Sequence, residues 1–274
     1  FKHNMNINSS FSHRKEEPES GFLYLVGTPI GNLNDISYRA INILKKVSLI
    51  ACEDTRQTRK LTSRFEINNK LISFNKFNSL SRIPKIINLL KEGKSVALVS
   101  DAGMPSICDP GEDLVKNVKI HNLGTICIPG PSAALTALVS SGLPSSKFTF
   151  EGFLPKKKSE REVILLEISK SYKTTILFES PHRLKKLINE LMDFCGGERE
   201  IQVFRELTKK YEEHIGNNIY EVHKFLEGKE ILGEITVVIK GLSKLNENNE
   251  IDKIALKKEL KELIQAGLTL SAAS

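Results

Sequence analysis

Ser95-Val96-Ala97-Leu98-Val99-Ser100-Asp101-Ala102-Gly103-Met104-Pro105-Ser106-Ile107-Cys108-Asp109-Pro110-Gly111 is the stretch on which the architecture turns. Its first part is a short apolar run without polar alternation, the mark of a strand buried on both faces. Its second part is crowded with Gly and Pro, which break the strand and shape a loop. The same run-then-loop grammar occurs upstream, where Leu23-Tyr24-Leu25-Val26 leads into Gly27-Thr28-Pro29-Ile30-Gly31-Asn32. It occurs downstream too, where Thr125-Ile126-Cys127-Ile128 leads into Pro129-Gly130-Pro131-Ser132-Ala133.

Further apolar runs lie at 49–52 and 70–74, and amphipathic segments of helical length at 36–46, 55–64, 81–91, 110–120 and 132–140. Strand and helix therefore alternate, which predicts an α/β domain with a mostly parallel sheet and helices on both faces. Gly142, Pro144 and neighbouring serines then interrupt the pattern at 140–146. A second set follows, with strands at 148–153, 175–178, 200–204 and 235–239 and helices at 159–169, 181–194 and 219–226. Its strands are more polar and its βα repeats fewer, so a smaller, mixed α/β lobe is expected. Residues 206–216 read as a strand pair or a loop. The expected organisation is a flexible extension over 1–21, an N-terminal domain over 22–141, a C-terminal domain over 142–241, and a linker with an incomplete helical tail over 242–274. Two such lobes would leave a cleft, a usual place for a ligand.

Composition narrows the functional classes. The 274 residues hold 40 Lys and Arg against 33 Asp and Glu, a net charge of +7 that favours anionic partners without naming one. The four cysteines are widely spaced, with no Cys-x-x-Cys pair, so neither a zinc site nor a disulfide framework is expected. Cys52 and Cys127 lie inside apolar runs and read as buried thiols. The polar, charged first twenty residues lack the apolar core of a secretory signal, and no apolar stretch approaches the roughly 18 residues of a membrane span. A reducing cytoplasm is the expected compartment, with no metal.

In an open parallel sheet, ligands sit beyond the carboxyl ends of the strands. The three Gly/Pro-rich loops all follow strands, whereas the opposite connections, such as 66–69 and 91–94, are ordinary polar turns. One rim is thus built for close approach to a small molecule. Gly27-x-x-x-Gly31 lacks the dinucleotide spacing, and no Gly-Lys-Ser/Thr follows it, which disfavours nicotinamide and P-loop chemistry.

In the same order along the chain stand Leu25 to Leu33, Cys52-Glu53-Asp54-Thr55-Arg56, Val99 to Gly111, Ile128 to Ala133, Phe178-Glu179-Ser180-Pro181-His182-Arg183, Arg205-Glu206-Leu207-Thr208-Lys209 and Gly233-Glu234-Ile235-Thr236. Over about 22–241 this set resembles the tetrapyrrole-methylase superfamily, and more narrowly its branch acting on small-subunit ribosomal RNA. The resemblance implies a two-lobed homodimer using S-adenosylmethionine to methylate a cytidine ribose 2′-hydroxyl in the decoding centre. It implies a donor site at Asp101, Ala102, Gly103 and Met104 with Ser132 and Ala133 opposite, and less directly at Ile30, Leu207 and Thr236. The same donor site would also serve methylation of a tetrapyrrole or another small metabolite.

A ribose hydroxyl is a poor nucleophile at neutral pH and calls for a general base. Glu206 and Lys209 lead the candidates, with Glu179 and His182 next. Phosphate contacts would come from strand-end cations, Arg56, Arg59, Arg183 and Lys186. With aromatics at 7% and no Trp, no base-stacking surface is apparent in the sequence. A non-catalytic RNA-binding role is opposed by the three tailored loops, which RNA binding alone does not need.

Overall fold

The computed structural model describes residues 17–243. Most of the polar extension and nearly all of the proposed tail lie outside that range. Within it, the chain forms two compact units. The first holds residues up to Thr136 together with Glu206–Glu213, and the second holds Ala137–Arg205 and the chain from His214 onward. The division falls inside a helix, ahead of the Gly/Pro break at 140–146. It also assigns to the first unit a segment that the linear reading placed in the C-terminal lobe.

The first unit carries β1 (Leu23–Val26), β2 (Leu49–Cys52), β3 (Leu71–Ser73), β4 (Val96–Val99) and β5 (Thr125–Ile128). Between them lie α1 (Tyr38–Lys46), α2 (Thr55–Arg64), α3 (Ser79–Lys91) and α4 (Glu112–Ile120), and α5 (Ala133–Ser140) follows β5. The strands pair in parallel in the order β3-β2-β4-β1-β5. Side chains alternate across the sheet. Tyr24, Val26, Ile50, Cys52, Ala97 and Val99 face one core with Ile43 and Leu44 of α1 and Leu61 of α2. Leu23, Leu49, Ala51, Val96 and Leu98 face the other, with Ile86 and Leu90 of α3 and Leu114 and Val118 of α4. Both faces are covered, as the unbroken apolar runs require.

The second unit carries β6 (Phe148–Phe153), β7 (Thr174–Glu179), β8 (Glu200–Arg205), β9 (Glu213–Asn218) and β10 (Ile235–Ile239) in the order β6-β7-β10-β8-β9, with β9 starting at the last residue of the first unit's inserted segment. Here β6 and β7 are parallel while β10 runs antiparallel to both neighbours, giving the expected mixed sheet. Helices α6 (Lys158–Lys170), α7 (Pro181–Cys195) and α8 (Ile219–Leu226) supply Leu165, Leu187, Leu191 and Val222 to one core.

Three expectations change. Cys127 is exposed, whereas Cys52 is buried. β5 is an edge strand whose Ile126 and Ile128 point into the α1 core, so its alternate position, Cys127, faces the other side and stays exposed. Residues 206–216 are neither wholly loop nor a strand pair, since β9 begins at Glu213. Residues 17–21 are pinned rather than loose. Glu17 pairs with Arg39, the Glu19 N–H donates to the Tyr24 hydroxyl at 2.7 Å, and the Gly21 N–H donates to the Gly93 carbonyl at 3.1 Å.

Leu114, fully buried between α4 and the sheet, should cost about 2–5 kcal/mol when replaced by Ala, read from urea unfolding.

Candidate functional site: the strand-end rim

The loops after β1, β4 and β5 meet at the carboxyl end of the first sheet. Their closest point is backbone against backbone. A Cβ added to Gly27 would stand 2.7 Å from the Gly130 α-carbon and 2.7 Å from the Met104 sulfur. No side chain fits at either glycine, so the loops after β1 and β5 touch backbone to backbone. Thr28 and Gly103 tie the first loop to the second, with N–H groups donating to each other's carbonyls at 2.9 and 3.1 Å. Gly103 in turn faces the Ile30 side chain and the Pro131 carbonyl. The structure thereby gathers Ile30, Gly103, Met104 and the 129–133 loop that carries Ser132 and Ala133. Asp101 and Ala102 are exposed beside them.

A fourth segment joins the same rim. The Thr208 hydroxyl accepts from the Asn32 N–H at 3.1 Å, and Gly31 lies against Leu207, Thr208 and Lys209. Lys209 holds Glu206 at 2.9 Å. Glu206 and Thr208 both have left-handed backbones, φ 54° and 65°, as do Ser106 and Cys108 in the 100–111 loop, φ 70° and 62°. Non-glycine residues pay for that conformation, and such strain gathers at functional loops. Thr208 stands in the Arg205–Lys209 motif without an assigned role, because a link over 176 residues leaves no local periodicity.

The rim is acidic on its β2–β4 side. The Asp101 carboxylate accepts from the Asp54 N–H at 3.0 Å. Burial, then neighbouring charge, pushes the carboxyls of Glu53, Asp101 and Asp109 above their ordinary range. Asp54 goes the other way, held down to about 2 by hydrogen bonds from the Arg56 side chain and backbone while it caps α2. Arg56 is therefore paired, at 2.7 Å, though still exposed; Arg59 is exposed on the next turn. Among the described residues, no three His, Cys, Asp or Glu side chains group as metal ligands.

The remaining candidates belong to the second unit. Thr236 is buried in β10, between Phe178 of β7 and Phe204 of β8. His182 is exposed in the first turn of α7, which begins with Pro181. Glu179 is removed from the list of bases. Its side chain is 0% exposed, paired with Arg183 at 2.5 Å and Arg161 at 3.3 Å, and it accepts from the Ser180 N–H at 2.8 Å. With its oxygens engaged by cations and its side chain closed to solvent, it is placed to hold Arg183. Arg183 keeps part of its guanidinium open while donating to the Leu154 carbonyl at 3.4 Å. Lys186 lies 3.8 Å from Glu190, which binds Arg161 at 2.6 Å. Arg161 was missed although a signal exists: it occupies the inward stripe of α6 with Leu165 and Ile168, where a charge needs a buried partner.

The sequence pattern of Tetrapyrrole (Corrin/Porphyrin) Methylases matches residues 22–223. The chain belongs to the tetrapyrrole methylase family. Among curated relatives, "Ribosomal RNA small subunit methyltransferase I" of Bacillus subtilis is 46% identical over 235 residues, covering 86% of this chain and 79% of the relative. The protein of the same name from Thermotoga maritima is 46% identical over 221 residues, covering 81% and 99%. Among solved structures, cobalt precorrin-4 methyltransferase superposes with a TM-score of 0.61 at 15% identity, covering 80% of this chain and 95% of that one. Uroporphyrin-III-C-methyltransferase from Thermus thermophilus gives 0.56 at 18%, covering 80% and 94%. At those identities the two structures establish the family's α/β fold.

Two measurements test the electrostatics. An acid whose folded pKa is raised stabilises only below its unfolded pKa, and that contribution is lost as pH rises through the folded value. Asp109→Asn should therefore melt higher than the parent at neutral pH, with the gap closing below about pH 4. Arg161→Met should lose about 3–5 kcal/mol in urea by leaving Glu179 and Glu190 without their shared cation, and adding Glu179→Gln should restore part of it.

Proposed function

We propose that this chain is an S-adenosylmethionine-dependent methyltransferase acting on small-subunit ribosomal RNA, at the 2′-hydroxyl of a cytidine ribose in the decoding centre. The observation that carries the reading is the 46% identity to proteins named for that RNA, over most of their length. The rim of the first unit fits such a donor. The close approach of Gly27 and Gly130 draws the three loops to one place, and the exposed Asp101 there offers an acceptor for hydroxyls or an ammonium. Asp101, Ala102, Gly103 and Met104 would hold the donor with Ser132, Ala133, Ile30 and Leu207.

The donor's sulfonium supplies an electrophilic methyl, so the protein's task is to place the hydroxyl in line and take its proton. We assign the proton to Glu206, whose carboxylate Lys209 holds at 2.9 Å, with His182 as the alternative acceptor. A placed base is worth about 10²–10⁴ in rate. Arg56, Arg59, Arg183 and Lys186 would bind phosphates, Arg183 being pre-set by Glu179. The enzyme would work in the cytoplasm as a homodimer. Leu135 and Val139, exposed on α5, suit an apolar contact between copies.

Labelled donor, incubated with assembled small ribosomal subunits, naked ribosomal RNA or tetrapyrrole precursors, should mark a ribose oxygen of the RNA. Label on a base or on the tetrapyrrole would overturn the assignment. Asp101→Ala should abolish donor binding by calorimetry, Glu206→Gln should lower kcat about a hundredfold or more with donor affinity kept, and Arg183→Ala should raise chiefly the KM for RNA.

A further inference from the structure

Phe77 is 99% exposed, the most exposed large apolar side chain among the described residues. It stands at the tip of the turn between β3 and α3, and that turn is built to hold it. The Asn75 side-chain carbonyl accepts from the N–H groups of Phe77 and Asn78 at 3.0 and 3.2 Å. The Asn78 side chain accepts from the Asn75 N–H at 2.8 Å, and both side-chain amides donate to the Ser73 hydroxyl at 3.2 and 3.1 Å. A ring displayed in water on so tightly bonded a turn is pre-organised, so a partner meets little ordering cost.

The turn leaves the sheet at the rim already described. The Phe74 N–H donates to the Cys52 carbonyl at 2.7 Å, so the 75–78 turn emerges beside the Glu53–Arg56 turn. Helices α2 and α3 both start there, on opposite faces of the sheet. Across their lengths, Thr55–Arg64 and Ser79–Lys91 carry Arg56, Arg59, Lys60, Arg64, Arg82, Lys85 and Lys91 and no acidic residue. Lys76 adds a cation next to the ring, and the carboxylates in its range, Glu53 and Asp109, are half-buried. The shallow recess on the α4 side of the turn carries Asp109, Glu112 and Asp113 and is unsuited to phosphate. The cations lie along the lengths of α2 and α3, away from the carboxylates at the rim, with Arg56 alone of them paired to Asp54.

We infer that Phe77 is a stacking platform for an unpaired base of the RNA substrate, with the basic faces of α2 and α3 taking the flanking phosphates. An aromatic face accepts any base, and a cationic groove beside it tracks the backbone. This deepens the reading of the rim as an RNA methyltransferase site and rests on it.

The chain has no tryptophan, so Phe77→Trp places one fluorophore at the point in question. A single-stranded ribosomal RNA fragment should quench its emission saturably, while heparin, a polyanion without bases, should not. Phe77→Ala should raise the KM for RNA about fivefold or more, with kcat and donor affinity unchanged. Equal responses to RNA and heparin, no response to either, or an unchanged KM would overturn the inference. So would a fall in molar mass of Phe77→Ala by light scattering, which would mark the ring as a contact between copies. Base-dependent quenching in a protein that methylates no RNA would instead sink the proposed function and leave the RNA surface standing.

Discussion

The approach of Gly27 to Gly130, where a Cβ would sit 2.7 Å from the opposite α-carbon, is the contact on which the rim depends. It brings the ends of β1 and β5 together without side chains between them, so the loops between and beside them must turn outward. Thr28 then bonds to Gly103 and pulls in the loop after β4, and Gly31 leaves room for Thr208 and Lys209. A methyl group at Gly27 or Gly130 would part the two loops and disturb every contact that follows. The constraint is steric and backbone-borne, which is why it sits in loops of glycine and proline and not in the apolar cores behind them.

Electrostatics divides the two units differently. In the first, carboxylates crowd the rim and burial raises them, so the rim stores unfavourable charge at neutral pH. Asp101 is nonetheless held by the Asp54 N–H, and Asp54 by Arg56, so the rim's charge is partly answered from within. In the second, Glu179 and Arg161 are buried together and their charges cancel, which leaves Arg183 aimed and partly open. One arrangement leaves charge at the rim; the other holds a side chain still.

The position of the rim was readable because it is local. Glycine and proline loops directly after apolar runs told where the rim lies, and 100–111, 27–32 and 129–133 did converge there. Residues whose meaning depends on distant partners were read less well. Glu179 stands among the candidate bases at a strand end, and Arg161 from α6, with Arg183, shows it is spoken for. Cys127 looked buried inside an apolar run, but its strand lies at the sheet edge. Phe77 carries no local signal at all, and its exposure follows from a turn closed by Asn75, Asn78 and Ser73.

The sequence by itself determined the doubly covered parallel sheet, the mixed second sheet and the rim of glycine-rich loops. Unbroken apolar runs can be buried only between two helical layers, and such loops can only bend or approach closely. Tertiary structure alone decided which polar groups are paired and which stay open. It joined Thr208 to Asn32 across 176 residues, closed Glu179 between two arginines and left Phe77 in water. Periodicity records which face of an element is buried; it carries no record of which distant charge or donor arrives to meet it.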